Sequence, residues 1–153
     1  SRLLLSGLLL VLLGACATTG SLREQRGEGL TRFYGAPFEE IWEAALQAVK
    51  ANNLRLDRAD RGDRFIAATH LPSDDQVGPP DESVAVSANQ GERIGIFVDS
   101  VAADTWSVEV VTRRRFALDP TAQDWTKAVF LALERELGPD ARLQGPAPSD
   151  SGP

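Results

Sequence analysis

The sequence predicts an α+β fold: a two-layer sandwich with two helices on one face of an antiparallel sheet of about five to six strands. Three observations lead there. Apolar residues recur every three or four positions in one early and one late stretch, and they alternate with period two in between. The connections between the alternating segments are too short for a parallel crossover. The expected order is β-α-β-β-β-β-β-α over residues 30–137, long enough for one modest hydrophobic core.

The first strand is read at Leu30 to Tyr34. In the helix that follows, Pro37 suits the first helical position, Glu39 and Glu40 favour the positive end of the dipole, and Lys50 with Asn52-Asn53 marks the stop. Phe38, Ile41, Trp42, Ala45, Leu46 and Val49 form its apolar stripe. Period-two alternation then places Leu54 with Leu56 around Arg55, Ile94 with Ile96 and Val98, and Trp106 with Val108 and Val110 on buried faces of half-buried strands. Turn residues at Asp60 to Asp63, Gln90-Gly91 and Ala102 to Asp104 separate these strands as hairpins. The second helix is expected to start at Asp119-Pro120, a capping side chain followed by proline in the first turn, and to end at Leu137 before Gly138. Trp125, Val129, Ala132 and Leu133 are its stripe, widened by Phe130 and Leu137.

The chain has 153 residues, 42% hydrophobic and 25% charged, a globular composition. With 16 Lys plus Arg against 22 Asp plus Glu the net charge is -6, opposite in sign to the field that draws nucleic acid or anionic headgroups. One cysteine forms no intramolecular disulfide, so burial alone must hold the domain. Methionine is absent, position 1 included, and the leader is expected to be truncated at its start.

Residues 1–15 read as a signal peptide: Arg2, then an apolar run from Leu3 to Leu13 broken by Ser6 and Gly7, then Gly14-Ala15. At 1.5 Å per residue the run spans roughly 16 Å, about half of a ~30 Å hydrocarbon core, so it is too short to span permanently. Cys16 follows directly, and Leu13-Gly14-Ala15-Cys16 resembles the lipobox of bacterial lipoproteins. That resemblance implies cleavage between Ala15 and Cys16, lipid on the Cys16 thiol and on the new amino terminus, and no other cofactor. Multiple acyl chains, at about 0.8 kcal/mol per buried methylene, make such an anchor stable. Ala17 stands where the family places an inner-membrane retention Asp, which implies outer-membrane delivery. Two other readings stay open: Ala15-Cys16-Ala17 fits an ordinary signal-peptidase site that would release the domain, and Cys16 could be a structural thiol.

Residues 16–29, rich in Gly, Ser, Thr and charge, read as the acylated cysteine and a flexible tether; residues 138–153 read as a disordered tail. Behind a lipobox and tether, this element order is similar to the small helix-grip domains of envelope lipoproteins, among them a lipoprotein subunit of the outer-membrane barrel-assembly machinery. The likeness is one of element order and apolar pattern over residues 30–137.

No catalytic set is legible. His70 is the single histidine, read as exposed or loop-packed at a strand end, so neither a Ser-His-Asp triad with a second base nor a His-rich metal site is available. Asp74, Asp75, Asp81 and Glu82 cluster without EF-hand spacing and read as a solvated loop. Arg61-Gly62-Asp63 matches the integrin-binding tripeptide but falls in a turn that favours Gly and Asp for backbone reasons. Arg113-Arg114-Arg115 is the densest basic run and the candidate partner contact, set against charges that discourage strand-edge pairing. Trp42, Trp106 and Trp125 fit core stripes.

The expected function is therefore a non-enzymatic envelope lipoprotein, anchored by acyl chains in the outer membrane and facing the periplasm, whose domain contacts another envelope protein. The alternative is a small apolar-ligand carrier, with Trp42, Trp106 or Phe97 lining a helix-sheet pocket. An enzyme, the third class, would draw a carboxylate pair from Asp99, Asp104 and Glu109.

Overall fold

The computed structural model describes residues 22–71, 91–113 and 124–144. Strand β1 (Leu30–Tyr34) leads into helix α1 (Phe38–Ala51); β2 (Arg55–Asp60), β3 (Phe65–His70), β4 (Glu92–Ala102) and β5 (Thr105–Arg113) follow; helix α2 (Trp125–Leu137) precedes a 3-10 turn (Pro139–Ala141) and the short β6 (Arg142–Leu143). The strands form one antiparallel sheet in the order β2-β3-β4-β5-β1-β6. The fold is the expected α+β sandwich, with the α1 and α2 stripes packed on one sheet face.

The order differs from expectation in one respect. Among the described residues four strands lie between the helices, and the sixth follows α2. Gly138, at φ 86, ends α2, and the turn after it brings Leu143 and Arg142 opposite Phe33 and Tyr34. Of the expected disordered tail, residues 138–144 thus form a turn and a short strand, in which only Arg142 and Leu143 join the sheet, because Phe33 and Tyr34 on β1 leave backbone groups that a returning strand satisfies; residues 145–153 lie outside the described residues.

Helix α1 begins at Phe38, one residue after the Pro37 start read from the sequence: Pro37 is its N-cap, and its carbonyl accepts from the N–H groups of Glu40 and Ile41. Helix α2 is described from Trp125, where Asp124 caps it by accepting from the Thr126 N–H at 3.1 Å. Asp119 and Pro120, the expected start, lie outside the described residues.

The core between helices and sheet is closed. Ile66 and Ala68 of β3, Ile94, Ile96 and Val98 of β4, and Val108 and Val110 of β5 meet Ile41, Trp42 and Ala45 of α1 and Val129, Phe130 and Leu133 of α2. A ligand-sized hollow would leave accessible surface on its walls, and the aliphatic side chains among these have none. Strand β2 departs from the half-buried pattern. Leu54 is buried just before it, but Leu56 is 47% exposed, because β2 is the sheet edge and its register shifts between Leu56 and Arg58.

Candidate functional site

The second face of the sheet is also covered, and the cover comes from the segment whose composition reads as tether. Residues 22–24 form a helical turn. Its Leu22, 1% exposed, packs on Phe65, Ala67, Phe97 and Val111, the side chains of β3, β4 and β5 that point away from the helices. The flexible tether expected up to Gly29 is therefore corrected: residues 22–29 are a strap seated on the sheet. An apolar side chain and two arginines find partners there that only the assembled sheet presents.

Arg23 and Arg26, three residues apart, fall on the same side of the turn. The Arg23 guanidinium lies 5.2 Å from the centre of the Phe65 ring and bonds Asp63 at 2.5 Å; Arg26 lies 5.3 Å from that of Phe97 and pairs with Asp99. The two rings stack at 4.8 Å across the β3–β4 register. Gly27 then turns the chain at φ 92. The N–H groups of Gly27 and Gly29 both donate to Oε1 of Glu109 at 2.7 Å, and Glu109 is only 7% exposed. A buried carboxylate held by two backbone amides is a strong, charge-assisted contact. Gly29 runs so close to β5 that a Cβ there would meet the Val110 carbonyl oxygen at 2.4 Å.

The carboxylates proposed from sequence as a catalytic pair behave differently from one another. The fold places Asp99 and Glu109 under the strap, one engaged by Arg26 and the other by the strap amides; Asp104 sits in the β4–β5 turn at φ 56. Their arrangement clamps a chain segment. Arg61-Gly62-Asp63 is likewise absorbed by the fold. Arg61 reaches Glu39 and Glu43 of α1 above the Trp42 ring, and the Asp63 N–H donates to Asp60 Oδ1 at 3.0 Å. That N–H, with Arg58 beside it, holds the Asp60 carboxyl below the usual carboxylate range.

His70 ends β3 with its ring packed on Trp125, centroids 4.4 Å apart, so it is ring-packed and half-buried. Glu92, opposite it in register, accepts from Trp125 Nε1 through Oε2, 3.5 Å from His70 Nδ1; its buried Oε1 has no hydrogen-bond partner among the described residues. Among the described residues no group of three His, Cys, Asp or Glu converges on a metal-sized space, and no helix is long and apolar enough to cross a membrane.

Arg113 is exposed at the end of β5, opposite Arg93. Since β5 lies between β4 and β1, a role in guarding a sheet edge does not apply to it. Ala15, Cys16, Arg114, Arg115 and the acidic residues Asp74, Asp75, Asp81 and Glu82 lie outside the described residues. The side chains expected to line a carrier pocket are split: Trp42 is buried between helices and sheet, Trp106 is half-buried against Phe38, and Phe97 faces the strap. Two surface hollows instead flank the strap. One, about 210 Å³, is lined by Arg23, Arg26, Asp63, Phe65 and Phe97. The other, about 330 Å³, lies between Gln25, Glu28 and Gly29, the end of β5 and the start of α2. Sequence reasoning missed this face, although the unbroken apolar run Phe65-Ile66-Ala67-Ala68 signals a strand covered on both sides. No protein-family model matches the chain, and the comparison with curated proteins found no match.

Proposed function

We propose that this chain is a membrane-anchored bacterial envelope lipoprotein, held in the outer membrane by acyl chains on Cys16 and facing the periplasm, whose α+β domain acts as a non-catalytic protein-interaction module. The anchoring half rests on the resemblance of Leu13-Gly14-Ala15-Cys16 to a lipobox. The observation that carries the module half is the filled interior between helices and sheet: the aliphatic side chains of β4 and β5 that face α1 and α2 have no accessible surface, which favours a module over a carrier with a helix-sheet pocket. The clamped state of Asp99 and Glu109 supports the same choice over an enzyme.

Native mass spectrometry of the protein from its bacterial host, purified in mild detergent beside Cys16→Ala, tests this reading. The wild type is expected to carry an acyl mass and to sediment with membranes, and the variant to do neither. A wild type that starts at Thr18 without lipid would be a secreted soluble protein. A small molecule bound at one per chain would make the domain a carrier.

A further inference from the structure

The strap is seated differently from everything on the other side of the sheet. Leu22 is the one apolar side chain in residues 22–29. The remaining attachments are arginines over rings, ion pairs in which Arg23 and Arg26 stay 37% and 49% exposed, and the bonds to Glu109. Exposed pairs of this kind are individually weak and are screened by salt. The seat is also incompletely filled: the hollows of about 210 and 330 Å³ adjoin the strap, and Oε1 of Gln25 is buried with no hydrogen-bond partner among the described residues. A segment so held opens at lower cost than the core does.

Lifting the strap uncovers the stacked Phe65 and Phe97 rings with Val111, bordered by Asp63, Asp99 and Glu109. This is an aromatic floor with a carboxylate beside each ring, spaced for two guanidinium groups on one helical turn. We propose that this outer face of the sheet is a protein-docking surface that the strap occupies in cis. The partner is a segment with the same chemistry, a leucine followed by two arginines three residues apart, which takes the strap's place. The net charge of -6 favours a cationic partner. Because the strap is covalently attached, its effective concentration is in the millimolar range, and a trans segment competes only when the strap is weakened. The proposal rests on the reading of the domain as an interaction module and is independent of the lipid anchor.

The test is fluorescence anisotropy of a labelled peptide with the sequence of residues 20–29, titrated with the full chain in mild detergent, as wild type and as Arg23→Ala/Arg26→Ala. Hydrogen exchange of residues 22–29 is read on the same samples. The double variant is expected to exchange faster in the strap and to bind the peptide at least tenfold more tightly than the wild type. That binding should weaken with salt, vanish when Asp63→Asn/Asp99→Asn is added, and be absent for a peptide lacking both arginines. Gly29→Ala, a change on the strap that leaves the face intact, loosens it through the Cβ clash with the Val110 carbonyl oxygen while keeping both arginines, so it must raise affinity for the unchanged peptide as well, which covers misfolding of the double variant. Faster strap exchange without peptide binding would overturn the proposal, as would a strap that stays protected without its arginines. A concentration-dependent dimer of the wild type that the double variant abolishes would overturn it too, by assigning the face to a second copy's strap. The mass at Cys16 is measured separately, so a failed anchor and a failed docking surface are told apart.

Discussion

Glu109→Gln measures how firmly the strap is closed. Gly27 and Gly29 donate to the same carboxylate oxygen at 2.7 Å, and a glutamine oxygen can occupy that position without the charge. Hydrogen bonds to a charged partner contribute about 1.5–3 kcal/mol and neutral ones about 0.5–1.5, so two bonds each weakened by roughly 1 kcal/mol cost about 2 kcal/mol. At about 1.4 kcal/mol per decade, that is roughly a 30-fold rise in the fraction of time the strap is open. Glu109→Ala removes the acceptor altogether and is expected to cost about twice as much. The assay is amide hydrogen exchange of Gly27 and Gly29, whose N–H groups are themselves the donors, referenced to the β4–β5 ladder around Val98 and Val108. The expected result is faster exchange in the strap with the ladder unchanged. Strap rates within about twofold of wild type, against the ~30-fold worked from the bond energies, would refute the assignment of Glu109 as the latch. An equal loss of protection in the ladder would refute the claim that the strap opens separately from the core.

Tyr34 is the chain's one tyrosine, and burial first, then the neighbouring Glu134 charge and the hydrogen bond to it, pushes its hydroxyl well above the ordinary tyrosine range. A group with a raised folded value contributes stability that is complete below its unfolded pKa of about 10 and is lost as pH climbs toward the folded value. The urea midpoint of the wild type should therefore fall above about pH 10 more steeply than that of Tyr34→Phe, with tyrosinate absorbance appearing only on unfolding; equal slopes would contradict the burial argument. Trp125→Phe removes the donor to the Oε2 of Glu92, whose other oxygen has no partner among the described residues, and should cost about 1–3 kcal/mol in urea unfolding. Phe130→Ala opens the core under α2 and strips Arg32 of the ring it covers at 4.5 Å, so a loss of about 3–5 kcal/mol is expected by denaturant titration. Gly29→Ala puts a Cβ 2.4 Å from the Val110 carbonyl oxygen and should raise strap exchange while leaving the β3–β4 ladder protected.

What was legible in the sequence was what periodicity and local chemistry decide. The spacing of Ile41, Trp42, Ala45 and Val49 fixes helix α1 and the face it buries, and the alternation of Ile94, Ile96 and Val98 assigns those side chains to the helix side of β4. Turn residues mark the β2–β3 and β4–β5 hairpins, and together these make the α+β sandwich readable from local pattern alone. The strap was not legible, because its stabilising partners lie far away in sequence: Arg26 meets Asp99, and Gly27 meets Glu109, only once β4 and β5 are side by side. A short polar segment with one leucine carries no period of its own, so composition reads it as tether. The same holds for β6, two residues whose pairing is decided by the open edge of β1. By itself the sequence determined the two helices, the alternating strands between them and the faces the helices bury. The tertiary structure decided what covers the second face of the sheet, because long-range ion pairs and backbone-to-carboxylate bonds depend on which strands become neighbours and leave no trace in local spacing.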